Sequence, residues 1–235
     1  MKTLSVVIPV YNESKTIREL IKAVEEAPLP GLKKELVLID DCSKDGTREF
    51  LQSVKDKHLV LFHDKNRGKG AALRTGFTHA TGDFIIIQDA DLEYDPKEYP
   101  IILAPLIDGK ADIVYGSRFM GNGPRRTLSF VHHKANTFLT GLSNVLSGLR
   151  LSDMETCYKT FTKEALAQIL PYLESDRFGI EPEITARIAK IRPRLRVFEV
   201  GISYYGRSHR EGKKINWKDG LAAIWFIIKF NLLKR

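Results

Sequence analysis

Phe84-Ile85-Ile86-Ile87-Gln88-Asp89-Ala90-Asp91-Leu92-Glu93 opens as an apolar run and ends in a cluster of carboxylates. A short run of this kind, rich in β-branched residues, reads as a buried strand. Asp89, Asp91 and Glu93 then project from its carboxyl end, where hard oxygen ligands can share one Mg²⁺ or Mn²⁺ with a bound diphosphate. An ordinary acidic loop produces Asp-x-Asp as well, so the flanking sequence has to decide between the two.

Upstream, Leu4-Ser5-Val6-Val7-Ile8-Pro9-Val10 is another apolar run, followed by Tyr11-Asn12-Glu13-Ser14 and then by Ile17, Leu20, Ile21 and Val24 at helical spacing. The same order of strand, polar loop and helix recurs. Leu36 to Ile39 leads into Asp40-Asp41-Cys42-Ser43-Lys44-Asp45-Gly46-Thr47 and a helix carrying Phe50, Leu51 and Val54. Leu59 to Phe62 leads through Asn66-Arg67-Gly68-Lys69-Gly70 into a helix around Ala71 to Ala80. Alternating units of this type predict an α/β fold: a Rossmann-like parallel sheet covered by helices on both faces, with ligands at the carboxyl ends of its strands. Every polar cluster quoted so far falls at that edge. Gly-x-Gly-x-x-Gly is missing after the first strand, which argues against a hydride-transfer enzyme, and Gly68-Lys69-Gly70 lacks the spacing of a P-loop. Lys69 can still face a phosphate.

Val6-Val7-Ile8-Pro9-Val10-Tyr11-Asn12-Glu13, Asp40-Asp41-x-Ser43-x-Asp45-Gly46-Thr47, Asn66-x-Gly68-Lys69-Gly70-Ala71-Ala72, Asp89-Ala90-Asp91-Leu92 and Gly116-Ser117-Arg118 occur in one order and spacing. In this the chain resembles the family 2 glycosyltransferases of GT-A fold, and within them the dolichol-phosphate mannose synthase group. The resemblance implies a nucleotide-sugar donor with base and ribose near Pro9, Tyr11, Glu13, Asp40 and Asp41. It implies the diphosphate beside Lys69, Asp89 and Ala90, on a metal held by Asp89 and Asp91, with Glu93 as a third ligand. Independently of any family, loop carboxylates can accept from ribose hydroxyls, Tyr11 can stack on a base, and a divalent cation offsets charge growing on a departing diphosphate. Asp45-Gly46-Thr47 also reads as a turn and helix start, which makes Asp45 structural.

The second half bears on the acceptor. Gly121-Asn122-Gly123-Pro124-Arg125-Arg126 is a basic loop, followed by a long helical pattern from His132 through Leu146. Cationic groups beside an apolar helix suit an anionic head group on a lipid. Within the resemblance, Arg118, Arg125 and Arg126 look like lipid-phosphate contacts. His132 and His133 lack metal-ligand spacing and read as interfacial or core residues. In Leu151-Ser152-Asp153-Met154-Glu155-Thr156-Cys157-Tyr158-Lys159, the family places an acidic residue near the sugar and an acceptor-side lysine. A hydroxyl acceptor requires a general base, whereas a phosphate with its second pKa near 6 already carries a nucleophilic oxygen. Asp153 is accordingly a base for the first acceptor and a sugar-positioning residue for the second. Asp91, Asp153 and Arg118 are the candidate catalytic residues. Glu181 or Glu183 can close the site, although charge at a helix start explains both. Tyr204 to Ile215 resembles the synthase group's Arg-x-x-Gly-x-Ser-Lys segment, with Lys213 in place of Ser. Gly212 permits a tight loop and Arg207, Lys213 and Lys214 can swing onto phosphates, so the segment reads as a mobile lid.

The 235 residues show no repeats or long linker. We read one glycosyltransferase domain over 1–235, with a nucleotide-sugar part (1–118), an acceptor-side part and lid (119–216) and a C-terminal amphipathic helix (217–235). The formal charge of +8 suits an anionic partner. Basic residues are not interleaved with aromatics in a nucleic-acid-binding motif, so a membrane is preferred over nucleic acid. Two distant cysteines fit a reducing compartment, and an amino terminus entering the first strand directly is expected to carry no secretory signal. The apolar stretch from Trp217 to Leu233 is shorter than the ~20 residues that cross a bilayer. Lying on the membrane surface and packing as a core or oligomer helix are both open for it. The combined expectation is an inverting transfer of a hexose to dolichyl or polyprenyl phosphate at the cytoplasmic face of a membrane, with GDP-mannose preferred over UDP-glucose. Transfer to a glycan hydroxyl is the alternative.

Overall fold

The computed structural model describes residues 1–121, 126, 130–207 and 217–234. Four strands build the donor half of the sheet: β1 (Lys2–Val10), β2 (Leu32–Asp40), β3 (Leu59–Phe62) and β4 (Phe84–Ile87). β1 lies in the middle, parallel to β2 on one side and β4 on the other. Leu4, Val6, Val7 and Ile8 are all fully buried. Successive strand residues point to opposite faces, so burial of consecutive positions means that both faces are covered. Helix α1 (Ile17–Glu26) buries Ile17, Leu20, Ile21 and Val24, the stripe its periodicity prescribes. Helices α2 (Thr47–Ser53), α3 (Lys69–His79) and α4 (Tyr99–Ile107) follow their strands in the same way.

The acceptor half departs from the purely parallel expectation. Strand β5 (Ile113–Ser117) is followed by the long helix α5 (Phe130–Ser147), then by β6 (Lys159–Thr162), α6 (Lys163–Ile169), α7 (Ile180–Lys190) and β7 (Val197–Gly201). The sheet order is β3-β2-β1-β4-β6-β5-β7. β6 runs antiparallel to both neighbours, pairing Ile86 with Thr160 and Tyr115 with Lys159. The reason is geometric. The chain leaves β5 at the carboxyl edge and re-enters the sheet from that edge, so the segment leading into β6 stays beside the loops after β1 and β4.

Helix α8 (Trp217–Ile228) continues into a π-helical turn, Lys229–Leu233. Ala223, Ile227 and Phe230 are buried, whereas Leu221, Trp225, Leu232 and Leu233 remain exposed. The element is therefore a packing helix on one face and bare on the other. Lys229 and Lys234 pair with Glu174 at 2.8 and 2.9 Å, so their charges are partly satisfied within the chain. Among the described residues no helix is long and apolar enough to cross a membrane.

Gly68 and Gly70 serve a close approach of two backbones. Gly68 has φ of 99°, and a Cβ there would lie 2.5 Å from the Asp176 carbonyl oxygen. A Cβ on Gly70 would collide with the Ser175 carbonyl oxygen and sit 3.0 Å from that of Arg177. The 175–177 segment thus rests on the first turn of α3, where Ala71 N–H donates to Asp176 O at 3.0 Å. Gly70→Ala is expected to lower stability by about 1–3 kcal/mol through overpacking against backbone that cannot rotate away. Urea unfolding checks this, and an unchanged midpoint would show that the segment yields.

Candidate active site

Three loops at the carboxyl edge carry non-glycine residues in the left-handed region: Asn12 at φ 51°, Cys42 at 65° and Leu92 at 61°. Such backbone is costly and persists where surrounding bonds over-determine it. Asn12 N–H donates to Ser43 Oγ at 2.9 Å and its Oδ1 accepts from Lys44 N–H at 2.8 Å, which locks the loop after β1 to the loop after β2. Asp45 accepts from Ser14 N–H and Thr47 N–H. Burial opposes its ionisation, but the hydrogen bonds from Thr47 and Ser14 prevail and hold it at about 2. Its structural reading matches this geometry.

Asp40 and Asp41 differ from each other. Asp40 is fully buried and accepts from Ser43 N–H at 3.2 Å and Arg48 Nη1 at 3.0 Å. It braces the loop instead of facing a donor, which corrects the expectation for it. Asp41 lines the main cavity and accepts from Arg67 N–H at 2.8 Å and Gly68 N–H at 2.7 Å, with His63 Nδ1 2.7 Å from its Oδ1. Pro9, Tyr11 and Glu13 line the same cavity.

The carboxylates after β4 are brought together and are met by cations. Lys69 Nζ lies 2.8 Å from Asp89 and 3.0 Å from Glu181. Burial opposes its charge, but Asp89 and Glu181 prevail and raise its pKa. Arg207 lies 3.0 Å from Asp91, 3.4 Å from Glu93 and 3.5 Å from Glu13. Burial first, then the Asp89 and Glu93 carboxylates, push Asp91 up to about 7 against the pull of Arg207. Glu93 also accepts from Tyr204 Oη at 2.5 Å and Arg207 N–H at 2.8 Å. That occupies both its oxygens and anchors the 204–207 segment, so Glu93 is a strut rather than a third open ligand. Among the described residues no three His, Cys, Asp or Glu side chains converge on one metal position. The donor set that remains is Asp89 and Asp91, two hard oxygen ligands that suit Mg²⁺ or Mn²⁺ once a diphosphate supplies further oxygens.

On the acceptor side the geometry revises several assignments. Asp153 is fully buried and grips Arg118, accepting from its Nε and Nη2 at 2.7 Å each and from its N–H at 3.0 Å. With both oxygens engaged and no place on the cavity wall, it is not positioned as a general base. Lys159 is also fully buried, paired with Glu181 at 2.5 Å and lying over the Tyr115 ring at 5.2 Å, so it does not reach an acceptor. Glu183 accepts from Glu174 N–H and Ser175 N–H, at 3.0 and 2.8 Å, and supports that turn. Arg126 is exposed, with its N–H donating to Tyr204 O at 2.8 Å and Nη1 to Gly206 O at 3.1 Å, tying two loops together. His133 is exposed with its ring 4.9 Å from Phe119, while His132 and Arg118 line the cavity. Arg125, Lys213 and Lys214 lie outside the described residues. Glu155, which the sequence reading left without a role, lines the cavity. Burial, then Glu181, push its carboxyl up to about 7 against Lys159 and Arg118.

These groups share one cavity of about 830 Å³. Its polar end holds Asp41, Lys69, Asp89 and Asp91; its other end runs between α5 and α8 along Phe138, Leu139, Leu221 and Ile224.

Residues 5–170 match the family model for glycosyl transferase family 2. The chain belongs to that family. Over 213 residues this family 2 glycosyltransferase is 29% identical to an uncharacterized protein of Methanocaldococcus jannaschii, covering 89% of this chain and 85% of the relative. It is 37% identical over 122 residues to the dolichol-phosphate mannosyltransferase of Pyrococcus furiosus, which spans 51% of this chain and 34% of that protein. Glucosyl-3-phosphoglycerate synthase from Mycobacterium tuberculosis, solved with Mn²⁺, UDP and phosphoglyceric acid, superposes with a TM-score of 0.73 at 19% identity. The match covers 99% of this chain and 78% of that one. The same synthase solved with Mg²⁺ and UDP gives 0.71 at 20% identity, over 98% of this chain and 79% of that one. The fold of this family 2 glycosyltransferase is thus the GT-A fold. The matched range takes in the donor loops, the Asp89–Glu93 cluster and the 153–159 loop. α7, β7, Arg207 and α8 fall beyond it.

Proposed function

We propose that the protein transfers a hexose, with inversion, from a nucleotide sugar to a polyprenyl phosphate, with GDP-mannose as the favoured donor. The observation that carries this reading is the cavity's two-part chemistry. An anionic donor fits the end with Lys69 and the Asp89–Asp91 pair, and an apolar tail fits the trough between α5 and α8. A small polar acceptor would leave that trough unfilled. The Pyrococcus furiosus relative supports mannose and a lipid phosphate by its name. UDP-glucose is the second donor to test, since the superposed synthase was solved with UDP.

Asp89 and Asp91 are the residues to hold Mg²⁺ or Mn²⁺, which when bound offsets charge on the leaving diphosphate. Lys69 and Arg207 already sit against these carboxylates as counter-charges and are placed to turn towards phosphate oxygens. Tyr11 and Glu13 serve the nucleoside. Arg118, held by Asp153, presents a buried cation to the acceptor's head group. A lipid phosphate brings its own nucleophilic oxygen, so a base is not required, in keeping with the engaged state of Asp153.

The mouth of the trough is bordered by exposed apolar side chains, among them Phe138 at 60% and Leu221 at 57%, with Trp225 at 55% and Leu232 at 63% further along the same helix and turn. In this reading that surface rests on the membrane holding the acceptor, a peripheral contact made by apolar insertion. Thermal protection across a panel of nucleotide sugars, then transfer to polyprenyl phosphate against phosphoglyceric acid, tests the reading. Preferential transfer to phosphoglyceric acid would overturn it. Trp225→Ser with Leu232→Ser should weaken liposome association on the order of 10–100-fold, from the loss of two apolar groups that insert into the membrane, with little change in unfolding midpoint. Undiminished association would move the membrane contact elsewhere.

A further inference from the structure

We infer that Glu155 recognises the transferred sugar, its carboxyl group hydrogen-bonding hydroxyls of the donor's hexose and so selecting which hexose is accepted. This rests on the nucleotide-sugar reading above and adds to it the residue that reads the sugar.

The 151–158 segment enters β6 from the carboxyl edge, and Glu155 lines the cavity. The other carboxylates on that wall all have partners inside the protein. Glu13, Asp91 and Glu93 meet Arg207. Asp89 and Glu181 meet Lys69, and Asp41 accepts from the loop N–H groups of Arg67 and Gly68. Oε1 of Glu155 and Oε1 of Glu181 are both buried without a hydrogen-bond partner among the described residues, but Glu181 has Lys69 3.0 Å away and Lys159 at its other oxygen, whereas Glu155 forms no ion pair among the described residues. A buried acceptor left unmet is unfavourable, so a donor from the ligand is the natural complement.

Few parts of the two substrates can supply one. Diphosphate and lipid phosphate are anionic acceptors and would repel a carboxylate. A prenyl chain has no polar hydrogen. The nucleoside belongs with the loops after β1 and β2, on the far side of the Asp89–Asp91 pair. The hexose lies between diphosphate and acceptor, and its hydroxyls both donate and accept. The groups facing Glu155 are Glu181 from α7, Lys159 from β6, Arg118 after β5 and Asp153 on its own segment. Burial and then Glu181, with Asp153, oppose ionisation of Glu155 while Lys159 and Arg118 favour it, and a carboxyl group accepts from one hydroxyl and, when protonated, donates to another. A site built to bond a substrate hydroxyl discriminates against sugars that misplace it.

The test uses the full chain with Mg²⁺, comparing the parent with Glu155→Ala and Glu155→Gln. Binding of nucleoside diphosphate and of the corresponding nucleotide hexoses is measured by calorimetry, and kcat and KM on hexoses epimeric at single carbons. For Glu155→Ala, affinity for the diphosphate should be unchanged, while the ratio of kcat/KM between epimers falls by about tenfold or more, the scale of one lost hydrogen bond to a buried polar group. Glu155→Gln should retain part of the preference, because an amide also donates and accepts. Parental epimer ratios in both variants would overturn the inference and leave the donor reading standing. So would a loss of kcat of ~10²–10⁴-fold with epimer preference intact, which marks a general base. If the parent itself shows no binding preference for any nucleotide hexose over its diphosphate, the donor reading fails first. Failure of Glu155→Ala to fold leaves the isosteric Glu155→Gln to decide, by its epimer ratios.

Discussion

Asp91→Asn should reduce transfer by on the order of 10²–10⁴-fold, because a metal-held diphosphate draws several kcal/mol of charge stabilisation from its ligands. Its stability should move the other way. In chelator, folding the parent at pH 8 forces a buried carboxylate to ionise beside Asp89 and Glu93, and these groups with burial hold Asp91 at about 7. The unfolded carboxyl titrates near 3.9. A raised folded pKa means that stability from the bound proton is fully present below about pH 4 and is lost as pH rises through about 7. The Asn variant lacks that slope, so it should equal or exceed the parent in urea unfolding at pH 8 with chelator. With Mg²⁺ and nucleotide the parent should regain the lead. Full parental transfer in excess chelator would remove the metal from the mechanism. A variant that is inactive and also less stable at pH 8 would point to fold damage instead.

Asp153→Asn should destabilise the protein by about 3–5 kcal/mol, the scale for stripping one partner from a buried ion pair. Arg118 would be left charged in a nearly enclosed position, with Asn offering one acceptor where two carboxylate oxygens had been. Replacing both residues together, as Arg118→Met with Asp153→Leu, should recover much of that stability, since apolar groups of similar volume often substitute for a buried pair without cost. Denaturant unfolding of the single and double variants reads this directly. Transfer should suffer in both, because the single variant leaves Arg118 without the carboxylate that orients it and the double variant removes the cation from the cavity wall. A general base would behave differently: Asp153→Asn would then keep its stability and lose 10²–10⁴-fold in kcat.

Much of the donor half was legible because its signals are local. The run ending at Asp89 and the one ending at Val10 each encode a strand, and the helical stripe from Ile17 to Val24 encodes α1. What escaped was pairing across long separations. Lys69 reads as a phosphate contact, and only the fold shows that α7 brings Glu181 to it from more than a hundred positions along the chain. Asp153 and Arg118 both read as catalytic, and each proved to be the other's partner. Glu93 shared the acidic cluster's pattern, but only the fold reveals that Tyr204 and Arg207 take its oxygens. Gly68 and Gly70 lack the spacing of a P-loop, and only the fold shows that they admit the 175–177 backbone. Glu155 carries no spacing signal at all. Its place follows from the antiparallel entry of β6, which no periodicity announces.

That reversed strand also governs how the protein can be made. β4 pairs with β1 on one side and with β6 on the other, and β5 does not touch it. During synthesis the ribosome releases Phe84 to Ile87 long before Lys159 to Thr162, so a fully apolar edge waits uncovered through the emergence of α4, β5 and α5. Such edges recruit foreign strands, and delayed long-range pairing prolongs the exposure. A chain stopped after Ser117 would possess all the donor loops and yet present that open edge to its neighbours. Truncations seeking a minimal nucleotide-binding fragment should therefore aggregate unless they extend through Thr162.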